Sequence, residues 1–267
     1  MYRMKCALFC RVFYEEDAGF MYLLKFPSHP GTYLYSDVDA RRAALFVTVL
    51  DTIMTLYDPC IPEVPGKPLN IKIIRREGSP ACYRHLREIH LNTEMRYVSQ
   101  AAYQFAHELC HMRIPFFVVD DLRWFEESIC EMASHYFLKK LSVYFANEAN
   151  TAPASLRNYA PKFASYSASI LEGAKVVDLT SELQMRRFTL DCYLREENRY
   201  VAKLLLPVFE EYPELWEALL YLGHIPAGFN LEDSLEIWRN TAGFAAEAIS
   251  KVKSLLVPES RSGAKNA

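Results

Sequence analysis

The chain has no block of like charges, no CxxC pair, no long apolar run and no low-complexity segment, and each absence closes off a class of protein. Its 30 Lys+Arg stand against 33 Asp+Glu for a net charge of −3, and no basic tract concentrates the positive charge. Neither nucleic acid nor an anionic membrane surface is therefore an expected partner. The cysteines, at 6, 10, 60, 82, 110, 130 and 192, are odd in number and scattered through segments that read as strands and helices, the usage of reduced thiols in a cytoplasmic setting. No apolar stretch approaches the roughly 18 residues that a membrane span requires. The apolar run 6–10 is cut by Arg11 and is too short for the core of a signal peptide. A cytoplasmic protein without a membrane segment is expected.

What is present is ordinary globular material: 267 residues, 51% hydrophobic and 24% charged. That length suits one domain with two subdomains, or two small domains. Residues 6–14 and 20–26 are apolar and aromatic around the acidic turn 15–19, which predicts a hairpin. Ser36 followed by Asp39 resembles a capping box opening an apolar helix to Tyr57, where Asp58-Pro59 stops it. Residues 58–68 carry four prolines and a glycine and predict an extended connection, a plausible boundary. Alternating residues at 69–76 and 87–92 predict two half-buried strands. A helix over 95–112, ended by Ile114-Pro115, is followed by one over 122–143 that Asp120-Asp121 can cap. Residues 147–161 read as a polar connection, then helices over 161–174, 181–206, 213–222 and 231–256, with Pro207 expected to end or kink the second of these four.

The chemistry concentrates at His107-Glu108-Leu109-Cys110-His111. On a helix, residues four apart lie about 5–6 Å from each other at Cβ, so His107 and His111 can direct two imidazoles at one cation. Glu108 lies about 100° around the helix from His107, close enough to act on a water without being a ligand. H-E-x-x-H on a helix is the zinc metalloprotease signature. Cys110 lies about 80° from the midline of the histidine pair and is expected to be a small packing residue.

A catalytic zinc needs a third protein ligand and an open position. The three-histidine version, H-E-x-x-H-x-x-G-x-x-H, is excluded because Ile114 replaces its glycine and Phe117 its last histidine. A carboxylate from the following helix is the alternative, and Trp124-Phe125-Glu126-Glu127-Ser128-Ile129-Cys130-Glu131 offers Glu127 and Glu131 on one face, either of which the spacing permits. Glu126 points about 100° away and is expected to be a solvated acid favoured by the helix dipole.

With these residues in place, residues 69–140 resemble the gluzincins, zincin-type metallopeptidases whose third ligand is a glutamate on a second helix. In that class the second helix often reads W-x-x-E-G-x-x-E. Ser128 stands here where glycine is frequent, and the gap from His111 to Glu127 is short. The resemblance implies Zn2+ held by His107, His111 and Glu127, with Glu131 accepting from His107 and Glu108 as general base. It also implies a tyrosine or histidine that steadies the oxyanion, for which Tyr193, Tyr200, His135 and His224 are the candidates. The expected fold is α+β: a zincin-like core with a small mixed sheet, the motif helix, a Glu-bearing second helix and a mainly helical C-terminal subdomain. The expected divisions are 1–58, 59–146, 147–257 and a disordered tail 258–267. The expected activity is hydrolysis of a peptide or protein substrate, which would lie along the strand 87–92 if that strand were an exposed edge. A catalytically silent zincin-like binding or regulatory protein is the alternative, and such a protein would have no use for Glu108. The oligomeric state is not expressed in the sequence.

Overall fold

The computed structural model describes residues 10–15, 19–37, 40–62, 68–74, 78–150 and 152–257. The start of the expected first strand and the 258–267 tail fall outside them. The architecture is mixed α+β, in two compact units: Met1–Arg113 with Ala133–Ile170, and Ile114–Met132 with Leu171–Ala267. All the strands described belong to the first unit.

That unit begins with the expected hairpin, β1 (Cys10–Glu15) antiparallel to β2 (Gly19–Lys25), with Cys10 opposite Leu24 and Glu15 opposite Gly19. A strand the periodicity does not reveal follows: β3 (Thr32–Ser36), antiparallel to β2. Its buried face is Thr32, Leu34 and Ser36, while Tyr33 and Tyr35 are the half-exposed ones. Polar residues point inward and aromatic ones outward, which conceals the alternation. Ser36, expected to open a helix, therefore ends a strand, and α1 (Ala40–Tyr57) begins four residues later. It stops at Asp58-Pro59 as expected.

β3 pairs in parallel with β4 (Leu69–Ile74), and parallel neighbours need a long crossover between them. Helix α1 lies within this crossover, and residues 63–67 of the proline-rich segment fall outside the described residues. After β4 come β5 (Ala81–Tyr83), a 3-10 turn at Arg84–Leu86, and β6 (Glu88–Asn92). Arg87, at φ 55°, closes the turn in the left-handed region, so β6 starts one residue later than its sequence pattern.

The strand order is β1-β2-β3-β4-β6-β5. β6 is thus paired on both sides, parallel to β4 with Ile71 opposite Ile89, and antiparallel to β5 with Cys82 opposite Ile89. This corrects the expectation that 87–92 is an exposed edge able to receive a substrate. The edge belongs to β5, three residues long and too short to show a period.

Helices α2 (Val98–Arg113) and α3 (Arg123–Ala146) follow. Leu34, Ile71, Ile89 and Leu91 of the sheet, Leu50 and Ile53 of α1, and Ala102, Phe105 and Leu109 of α2 are all 0% exposed and form the core of this unit. Burying a side chain of this size contributes roughly 1.5–3 kcal/mol. Tyr57, the last residue of α1, stacks on Phe137 of α3 with ring centroids 3.6 Å apart, and its hydroxyl donates to the Ala106 carbonyl at 2.6 Å. The connection after α3 is shorter than expected, because α4 (Ala154–Glu172) starts early and carries Pro161 within it. Buried Leu156, Ala160 and Phe163 hold that helix together across the proline.

In the second unit, Trp124 at the start of α3 stacks on Phe188 (centroids 4.4 Å) and Phe125 meets the edge of Trp238 (6.1 Å). The expected helix 181–206 is two, α5 (Glu182–Leu190) and α6 (Arg195–Glu211). The break is made by side chains: Asp191 accepts from the Tyr193 amide at 2.9 Å, and Asn198 donates to the Cys192 carbonyl at 2.8 Å. Pro207 does not end α6, whose buried Val201, Leu205 and Phe209 outweigh a proline cost of about 3 kcal/mol. Helix α7 (Glu214–Ala218) and a 3-10 turn to His224 occupy the expected 213–222 segment. The expected helix 231–256 breaks at Gly243 into α8 (Leu231–Thr241) and α9 (Ala246–Leu256), which Lys253 links by ion pairs to Glu232 (3.2 Å) and Glu236 (3.4 Å).

Candidate metal centre

Helix α2 is tied to the elements around it at its middle and near its C-terminal end. Gln104 donates to the carbonyl of Asn92, the last residue of β6, at 3.0 Å. Near the C-terminal end Arg84, from the turn before β6, donates through Nε to the His111 carbonyl at 2.6 Å. The last carbonyls of a helix have no partner within it, so Arg84 both satisfies one and anchors the turn that carries His111.

Between these anchors the i,i+4 geometry appears as expected: the His107 and His111 rings lie 5.1 Å apart at 64° to one another. Both are half-buried, while Glu108 is 6% exposed. Helix α3 is tied to α2 where Ser134 Oγ donates to the Tyr103 carbonyl at 3.0 Å. One turn onward along α2 is His107 and two turns onward is His111, and two turns back along α3 is Glu127. His107, His111 and Glu127 each offer one ligand atom, and those atoms lie within 4.8 Å of one another. Two imidazoles and one carboxylate, all half-buried, make a donor set that could hold a metal ion.

A second set shares His111: His111, Glu126 and Cys130 also offer ligand atoms within 4.8 Å. Glu126 is 6% exposed, not the solvated acid that its place in the first helical turn predicts. The cause is the burial of α3 on nearly every face: residues 128–138 are all buried, so neighbouring positions of the helix face protein alike. Asp120 and Asp121 lie in the 3-10 turn that leads into α3, Asp120 pairing with Arg123 and Asp121 accepting from the Gly228 amide at 3.0 Å.

The sequence matches no protein-family model, and no curated protein and no solved structure is detectably similar to it.

Glu131 is 8% exposed, and Arg199 of α6 donates to it through Nε at 3.2 Å. Arg199 carries no sequence signal, since 68 residues separate the partners. Of the candidates for a proton donor, His135 is fully buried, with Nδ1 2.9 Å from Ser167 Oγ and its ring edge-on to Tyr103, a packing role. His224 lies against Phe116 with ring centroids 5.0 Å apart. Tyr200 is half-buried on α6. Tyr193, in the turn between α5 and α6, is 61% exposed. Desolvation of its hydroxyl, with the charges of Cys192 and Glu127, raises its pKa above the ordinary 10.0 and keeps it protonated. The Cys192 thiol is also raised, by burial and then by Glu127.

Proposed function

We propose that the protein is a zinc-dependent peptidase of gluzincin type, in which His107, His111 and Glu127 hold the metal. The observation that carries this reading is the convergence of those three ligand atoms within 4.8 Å, beside a buried Glu108 on the same helix. The order of elements, a mixed sheet followed by the motif helix α2 and the Glu-bearing α3, is in keeping with it.

Zinc, when bound, makes a water acidic near neutral pH and polarises a peptide carbonyl. Glu108 accepts the proton of the attacking water and passes it to the leaving amine nitrogen, so one carboxylate serves first as base and then as acid. Glu131, fixed by Arg199, holds a ligating imidazole in one orientation. Tyr193, in the turn between α5 and α6 and electrostatically coupled to Glu127, is one candidate donor to the carbonyl oxygen. The expected substrate is an extended peptide. Among the described residues no helix is long and apolar enough to cross a membrane.

Metal analysis of the purified chain, paired with a peptide-library digest, tests the reading. We expect one zinc per chain, lost in His107→Ala and in His111→Ala, and hydrolysis that Glu108→Gln abolishes while keeping the metal. A metal-replete wild type holding no zinc would overturn the site. Zinc binding by a wild type that cleaves nothing in the library would leave a binding protein in place of a peptidase.

A further inference from the structure

In the first unit, away from the candidate ligands, three charged groups gather around His29, on the loop between β2 and β3. Its Nδ1 lies 2.7 Å from Asp51 Oδ1 and its Nε2 lies 3.0 Å from Asp58 Oδ2. Asp51, in α1, also accepts the Ser28 amide on both oxygens, at 3.2 and 3.0 Å. Asp58, just past α1, accepts Arg113 Nη2 on its other oxygen at 2.9 Å. Arg113 is the last residue of the motif helix; it is 3% exposed and donates through Nη1 to the Ile61 carbonyl at 3.2 Å.

Each ring nitrogen lies within hydrogen-bond distance of a carboxylate oxygen, and a charged imidazole, with two N–H groups, can donate to both. A neutral imidazole has one N–H and one lone pair, and can satisfy one carboxylate while turning the lone pair on the other. With His29 charged, the four groups sum to zero; with His29 neutral, a net negative charge remains around an imidazole whose side chain is 9% exposed. Asp51 and Asp58 on α1 and its end, and Arg113 on α2, are the charged groups around it, and His29 is the one whose charge changes between pH 5 and 8.

We propose that His29 is a proton-operated clasp: charged, it holds Asp51 and Asp58 together and so braces the end of α1 against Arg113; on losing a proton it releases one carboxylate and loosens the last turn of the motif helix. The end of α1 grips α2 at two points, Tyr57 on the Ala106 carbonyl and Asp58 on Arg113. These points bracket His107 and His111, so the clasp acts on the segment that carries them.

Direction follows from linkage. Desolvation opposes the charge on His29, but the bonds to Asp51 and Asp58 and their negative charges outweigh it, raising its pKa above the ordinary 6.5. A group whose folded value lies above its unfolded one contributes fully below the unfolded value and loses that contribution as pH rises through the folded one. The clasp is closed in mild acid and opens as the solution becomes alkaline.

An NMR titration of the His29 ring in the full chain tests this, with Asp58→Asn alongside. We expect a midpoint above 6.5 in the wild type and a lower one in Asp58→Asn. Amide exchange over residues 109–113, corrected for its intrinsic pH dependence, should then speed up in the wild type as pH passes that midpoint, and should be insensitive to pH in His29→Gln. A wild-type midpoint at or below 6.5, or corrected exchange at 109–113 that does not change across it, would overturn the proposal. Both wild-type measurements decide it even if a variant does not fold.

Discussion

Arg199→Met removes the guanidinium whose Nε sits 3.2 Å from Glu131 Oε1, while keeping much of the side chain's apolar length. The Glu131 side chain is 11% exposed and that of Arg199 24%, which places the pair between two regimes. An exposed ion pair contributes at most about 1 kcal/mol, and removing one member of a fully buried pair costs about 3–5 kcal/mol. For a carboxylate stranded at this depth we expect a stability loss of about 1–3 kcal/mol. If Glu131 steadies a ligating imidazole, the same substitution also weakens zinc binding, by about 10–100-fold, equivalent to about 1.4–2.8 kcal/mol. Chelator-competition titrations of zinc and urea unfolding, run on Arg199→Met, Glu131→Gln and the double variant, separate the two effects. Because both residues act through one contact, the double variant should bind zinc about as weakly as the weaker single one, and not with the sum of their losses. Zinc affinity in Arg199→Met indistinguishable from wild type, alongside a clear loss in stability, would refute the reasoning: the ion pair would then hold the fold and not the metal ligand.

Three further substitutions follow from the geometry. Glu127→Ala should remove most zinc affinity while Cys130→Ser leaves it nearly unchanged, and the reverse ranking in parallel titrations would assign the metal to His111, Glu126 and Cys130. At Gly223 an added Cβ would lie 2.3 Å from Phe116 Cβ, so Gly223→Ala should lower stability by about 1–3 kcal/mol; an unchanged thermal midpoint would show that Phe116 gives way freely.

Some of this molecule is written locally and some is not. The pairing of His107 with His111 depends only on helical geometry over five residues, and the alternation in β4 and β6 only on a two-residue period, so both are visible in the sequence. The end of α1 at Asp58-Pro59 is local too, since proline forbids its continuation. Tertiary structure decided the remainder because the deciding partner lies far along the chain or the local signal is inverted. β3 turns its polar residues inward, and only the neighbouring strands make that a buried face. β5 is three residues with no period of its own, and its pairing is what moves β6 off the edge of the sheet. Helices α5 and α6 separate because Asp191 and Asn198 bond the intervening backbone, a competition that apolar periodicity does not register. At the candidate site, the helix wheel allows Glu127 or Glu131 to face the histidines and sets Glu126 aside, and only the packing of α3 on α2 places Glu127 beside His107 and His111. The same packing buries Glu126, and α6 brings Arg199 to Glu131 across 68 residues of chain, because burial and charge pairing are properties of the assembled fold.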